Sequence, residues 1–278
     1  MARSCAPREC ALDEMSTRTY LPTYLDLSEF RATYLRTIAR VRFEGHTRGG
    51  SPTTLDWNDL EEYVPRLLQA LAKLRGDPLE AVTVEVYEDS TPKGLPKRGG
   101  AITPDHVNSG LTWFETRGGA KGVVIFRTEE FAKVLCHELL HYYGIGEIRN
   151  EAVQRRAIAI FDEPGIASTL SINEAITELN ATIINAQIRT GSNEAELEEA
   201  LMREYTHTMR TIALLRAHFG IAKTDQSWKG WKETTHAFSY YVAKGIFLAH
   251  VLNQDPCAFK YVKEKRRGDP LTMTVTGV

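Results

Sequence analysis

The sequence lacks most of what would assign it to a specialised class of polypeptide. Only four cysteines occur, Cys5, Cys10, Cys136 and Cys257, too few and too scattered for a disulfide framework. The opening residues carry no apolar run of the kind a secretory signal needs, and no stretch approaches the roughly 18 uninterrupted apolar residues of a membrane span. These absences lead to the expectation of an intracellular, reducing location with no membrane partner. Neither sign of charge dominates: 34 Lys and Arg face 36 Asp and Glu, for a net charge of −2. Such a balance speaks against dependence on nucleic acid or an anionic surface. The one basic cluster, Lys263, Lys265, Arg266 and Arg267, reads as a solvated helix end. Internal repeats and low-complexity segments are also missing. What remains is an ordinary globular composition, 42% hydrophobic over 278 residues, able to bury a sizeable core.

Against this plain background one stretch is dense with chemistry. Residues 128–144 read as a single helix carrying His137, Glu138 and His141, an HExxH pattern. Side chains four positions apart share a helix face, so the two imidazoles can be presented to one tetrahedral metal. Glu138, next to the first, can reach a water polarised by that metal without being a ligand, which is the position of a general base. Thr128 is a candidate N-cap, Glu129 and Glu130 suit the first turn, and Gly144 offers a left-handed C-cap. Phe131, Val134, Leu135, Leu139, Leu140 and Tyr143 spread around the other faces and predict a largely buried helix.

Around that helix the chain divides into three parts. Residues 1–24 show little periodicity and predict a flexible tail. Residues 25–80 predict a helical N-terminal subregion. Its first helix starts at Ser28 with Phe30, Tyr34, Ile38 and Val41 on one face, and ends near Gly45, before a Gly49-Gly50-Ser51-Pro52 linker. Its second runs over 58–74, opened by Asn58 and Glu61 in capping-box spacing, with Leu60, Val64, Leu67, Leu71 and Leu74 as its stripe and Pro65 as a bend or the true start. Residues 81–278 then hold the HExxH region. Val82, Val84 and Val86 alternate with polar neighbours as in a strand, and residues 91–100 read as an exposed loop. Two further strands fall at 110–116 and 122–127 around a turn at Arg117-Gly118-Gly119. A strand beside the HExxH helix can offer its edge to an extended peptide, although a covered edge fits the pattern equally. Beyond Gly146 the spacing predicts helices over 149–162, 171–189, 193–219, 232–253 and 255–265, then a short strand over 271–275. The fold class is therefore α+β, mostly helical, with a small sheet beside the HExxH helix.

Two histidines need a third protein ligand. Glu174, in Ser171-Ile-Asn-Glu-Ala-Ile-Thr-Glu178, is one candidate, and Glu147, following Gly144, is another. Ser171 and Glu174 also have capping-box spacing, which would use the same carboxylate structurally. Taken together, His137, Glu138 and His141 with the later Asn173-Glu174-Ala-Ile-Thr-Glu178 resemble the gluzincin zinc metallopeptidases, including the thermolysin-like enzymes. The resemblance covers roughly residues 120–190. It implies a zincin-like fold, Zn²⁺ held by His137, His141 and Glu174, and Glu178 orienting a histidine ligand by hydrogen bond. The spacer between the two elements is longer than in thermolysin-like enzymes, and Glu178 stands where Asp is common. Glu147 would instead give a metzincin-like site, for which Met202, Met209 and Met273 provide no convincing Met-turn.

The resemblance further implies a peptidase, with Glu138 as general base and a later His or Tyr steadying the oxyanion. His236 and Tyr240, at helical i, i+4 spacing, are the best pair for that role, with His207, His218 and His250 as alternatives. The expected partner is a peptide or protein substrate. A helical binding protein with a structural metal site is the competing reading.

Overall fold

In the computed structural model, which describes residues 22–114, 121–159, 170–222 and 228–253, residues 30–48 form a β-hairpin rather than the expected helix. Strand β1 (Phe30–Ile38) turns at Ala39, whose φ is 52°, into the antiparallel strand β2 (Val41–Arg48). Phe30, Tyr34, Ile38 and Val41 do recur at near-helical intervals. The buried positions of β2, however, are Val41, Phe43, Gly45 and Thr47, which is the period of a strand. Gly45 accounts for the pairing: a Cβ there would lie 1.8 Å from the Tyr34 ring. Glycine thus lets that ring lie across β2 and pack edge-on against Trp57, centroids 4.9 Å apart.

Residues 22–24 are held rather than loose. The Thr23 amide and hydroxyl donate to Asp105 at 2.5 and 2.6 Å, and Tyr24 lies against the Arg127 guanidinium, 5.3 Å from ring centroid to Cζ. The rest of the expected tail, the turn at 117–119, the basic cluster, and the helix and strand expected at 255–265 and 271–275 lie outside the described residues.

Helix α1 (Trp57–Arg75) is capped by Asp56, which accepts from the Asn58 and Asp59 amides; the expected cap, Asn58, lies just inside the helix. It runs through Pro65, buries Leu60, Val64, Leu67 and Leu71 as expected but leaves Leu74, the last of the expected stripe, exposed, and ends at Gly76 in the left-handed region. It then delivers β3 (Val82–Glu88) parallel to β2. After the short α2 (Pro104–Val107) come β4 (Gly110–Phe114) and β5 (Lys121–Ile125). The sheet order is β1-β2-β3-β5-β4, with β5 parallel to β3 and β4 antiparallel to β5. Among the described residues, β4 is therefore an edge.

Helices α3 (Phe131–Tyr143), α4 (Glu151–Ala159), α5 (Ile172–Thr190) and α6 (Glu194–His218) follow. The helix expected over 232–253 is shorter and irregular. A π turn at Ser239–Ala243 leads straight into α7 (Lys244–Val251), while Thr234 and Ile102 make a backbone contact at 2.8 Å. This is the expected α+β architecture, a five-stranded mixed sheet followed by a largely helical half. Val41, Phe43, Val84 and Ile125 of the sheet share one core with Leu67 and Leu71 of α1 and Leu135 and Leu139 of α3. A second core gathers Ile102, Trp228, Trp231 and Phe238 beneath the C-terminal helices. No helix among the described residues is long and apolar enough to cross a membrane.

Candidate metal centre

Ten of the thirteen residues of α3 are buried, so its polar side chains must find partners inside the protein. Its N-cap is Glu130, in the left-handed region at φ 55°, not Thr128 as expected; Gly144 closes the other end in that region as expected. Between these ends, one helical turn brings Nε2 of His137 and Nε2 of His141 to 3.2 Å of each other. Oε2 of Glu174, from the first turn of α5, lies 3.4 Å from both.

Ser171 does cap α5 by accepting from the Glu174 amide at 3.2 Å. Only that half of the capping box uses Glu174, because the carboxylate itself faces the histidines. Asn173 pins the chain that follows α3 by accepting from the Ile148 amide at 2.9 Å. Glu178, one turn further along α5, places Oε2 3.0 Å from Nδ1 of His137 and Oε1 3.0 Å from Nζ of Lys133. A bond at Nδ1 leaves Nε2 as the lone-pair nitrogen, on the tautomer that this network favours.

The carboxylates around the two rings favour positive charge at this point. Burial alone would depress the His137 pKa, but Glu174, Glu178 and Glu138 outweigh it and raise the value to about 10. Burial opposes ionisation of Glu174 and Glu178 too. Even so, His137 and His141 hold the first well below the carboxylate range, and Lys133 and His137 do the same for the second. Among the described residues, His137, His141 and Glu174 are the one group of three or more His, Cys, Asp or Glu side chains whose ligand atoms converge, all within 4.8 Å of one another. Two nitrogens and a carboxylate oxygen make a donor set suited to a divalent ion. Glu147 is not in that group. Its carboxylate lies by the C-cap, 4.0 Å from where a Cβ of Gly144 would stand.

Glu138 points elsewhere, toward β4. The Thr112 hydroxyl donates to its Oε2 at 2.9 Å and lies equally close to its backbone carbonyl oxygen. A Cβ at Gly110 would come within 3.0 Å of its Oε1. Burial raises the Glu138 pKa, against the pull of His137, His141 and the Thr112 bond. Beside it lies a cavity of about 450 Å³ whose wall includes His137, Glu138, Gly110, Tyr240 and His207.

Tyr240 packs edge-on to His137, ring centroids 6.0 Å apart. Burial first, and then the charges of Glu174 and Glu138, raise its pKa well above 10.0, so the phenol keeps its proton. His236 packs on the other side of Tyr240 at 6.4 Å and is not part of the cavity wall. His218 is engaged with the Gly100 carbonyl at 2.8 Å, and His250 is exposed.

Sequence reasoning missed Thr112, Lys133 and Lys244. Lys133 had a signal, since it precedes His137 by one helical turn and so shares its face. Thr112 had none, because its partner lies 26 residues away on another element. No known protein family, curated protein or solved structure matches the chain.

Proposed function

We propose that the protein is a zinc-dependent metallopeptidase of the gluzincin type, with His137, His141 and Glu174 as ligands and Glu138 as general base. The observation that carries this reading is the meeting of three ligand atoms within 4.8 Å next to a buried carboxylate that is not one of them. A structural metal site has no use for that fourth group. Zinc held there supplies Lewis acidity toward a water and toward the substrate carbonyl.

Glu138 takes the proton of the attacking water and returns it to the departing amine. Thr112 fixes the carboxylate for both transfers. Tyr240, held protonated, donates to the oxygen on which charge develops. The edge of β4 pairs with the substrate main chain, which binds peptides with little dependence on their sequence.

The test is zinc content of the wild type, Glu174→Ala and Glu147→Ala proteins, measured in parallel with cleavage of a mixture of quenched fluorescent peptides. The gluzincin reading expects zinc to be lost in Glu174→Ala alone. It expects Glu138→Gln to keep zinc and lose cleavage. Retention of zinc by Glu174→Ala with loss in Glu147→Ala would favour the metzincin-like site. Zinc binding without cleavage by the wild type would leave only a structural metal protein.

A further inference from the structure

Lys244, the first residue of α7, carries a buried charge with an incomplete set of partners. It is 3% exposed. Its nearest carboxylate oxygens, Oε1 of Glu178 at 3.7 Å and Oε2 of Glu204 at 4.0 Å, lie beyond hydrogen-bond range. The first is already engaged by Lys133 at 3.0 Å. An ammonium has three donors, and neither of these contacts is short enough to use one as a hydrogen bond.

The same side chain lines the cavity that His137 and Glu138 line, together with Lys93, Lys133 and Tyr241. The other two lysines on that wall are hydrogen-bonded to carboxylates. Glu130 holds Lys93 at 3.1 Å and Lys133 at 3.4 Å, and Glu129 accepts from the Lys93 amide at 3.1 Å. Glu178 is taken by Lys133 and His137. Of the three lysines on that wall, Lys244 is the one with no carboxylate oxygen within hydrogen-bond range.

Building on the peptidase reading, we propose that Lys244 docks a carboxylate of the substrate, so that the cleft selects peptides with an acidic group close to the scissile bond. Glu178 bridges the two places, one oxygen on the His137 ring and the other facing Lys244. The ammonium is therefore on the order of 10 Å or less from the ligand nitrogens, about two or three residues of extended chain. The carboxylate can be a chain terminus or an Asp or Glu side chain. Tyr241, also on the wall, adds a phenol to the same pocket.

The experiment measures peptide binding by calorimetry to the zinc-loaded Glu138→Gln protein. The probes are acetyl-Ala-Ala-Phe-Ala-Ala with a free carboxylate, its amide, and amides with Glu or Gln at each of the last two positions. At least one carboxylate form is expected to bind roughly ten- to hundredfold more tightly than its neutral counterpart. Adding Lys244→Met should erase the preference, and Lys244→Arg should restore part of it. The free-terminus and Glu arms tell the two sources apart.

Equal affinities across all probes, absence of binding, or a preference that survives Lys244→Met overturns the proposal. Should Lys244→Met not fold, the comparison of carboxylate with amide on the Lys244 protein still decides. Cleavage of the same peptides by the wild type without carboxylate preference sinks this inference alone. Carboxylate-selective binding without any cleavage sinks the peptidase reading instead.

Discussion

Glu178 grips the ring of His137 from behind, its Oε2 3.0 Å from Nδ1. That bond fixes which nitrogen of His137 faces His141 and Glu174, and the carboxylate's charge strengthens the ring as a donor. Glu178→Gln keeps the shape and removes the charge. Zinc affinity, read by competition with a chromophoric chelator, should fall about 10- to 100-fold. An unchanged affinity would show that the bond does not tune the ligand.

On the peptidase reading, Tyr240 acts as a donor in the reaction. Tyr240→Phe should leave zinc content intact and lower kcat by about 100-fold, with KM little changed, the pattern of a donor used mainly in the transition state. A loss confined to KM would make it a binding residue.

The hairpin offers a test of the fold. Gly45→Ala puts a methyl group where the Tyr34 ring now lies, and should cost about 1–3 kcal/mol in urea unfolding. Most of that cost should vanish in a Tyr34→Ala background, because the two changes share one contact. Additive penalties would mean that the ring is not what excludes the side chain.

Asp89 predicts a pH dependence away from the site. Burial opposes its ionisation. Its bonds to Thr91 and Arg48, the amide of the first at 2.6 Å and the guanidinium of the second at 2.7 Å, outweigh burial and lower its pKa. A carboxyl whose folded pKa is depressed stabilises fully above its unfolded value, about 3.9, and loses that contribution as pH falls through the folded value. Asp89→Asn should therefore be less stable at pH 7 by about 1–3 kcal/mol. The gap to wild type should close on acidification below about pH 4; a gap constant with pH would exclude the charge as its source.

The parts of the molecule legible in the sequence are those set by spacing along one helix. His137 and His141 had to share a face, Gly144 had to end the turn, and Asn173, Glu174 and Glu178 carried a recognisable element. Contacts between distant segments were not legible. Tyr34 reads as the second position of a helical stripe until Gly45 is known to lie beneath it, and nothing local announces that pairing. Lys244 was hidden by the π turn at Ser239–Ala243, which breaks the regular periodicity by which residues on that segment would be assigned to a face. Thr23 and Tyr24 read as tail because their partners, Asp105 and Arg127, are remote in sequence.

Gly110 sets the distance between the edge strand and the helix that carries Glu138. With a hydrogen in place of a side chain, β4 settles against α3 so closely that Oε1 of Glu138 and the carbonyl of Val124 would both stand 3.0 Å from any added carbon. Lateral slippage of β4 by one residue would drive Leu111 into that gap and lever the helix outward. A side chain at position 110 would displace the Glu138 carboxylate first, since its oxygen is one of the two nearest atoms.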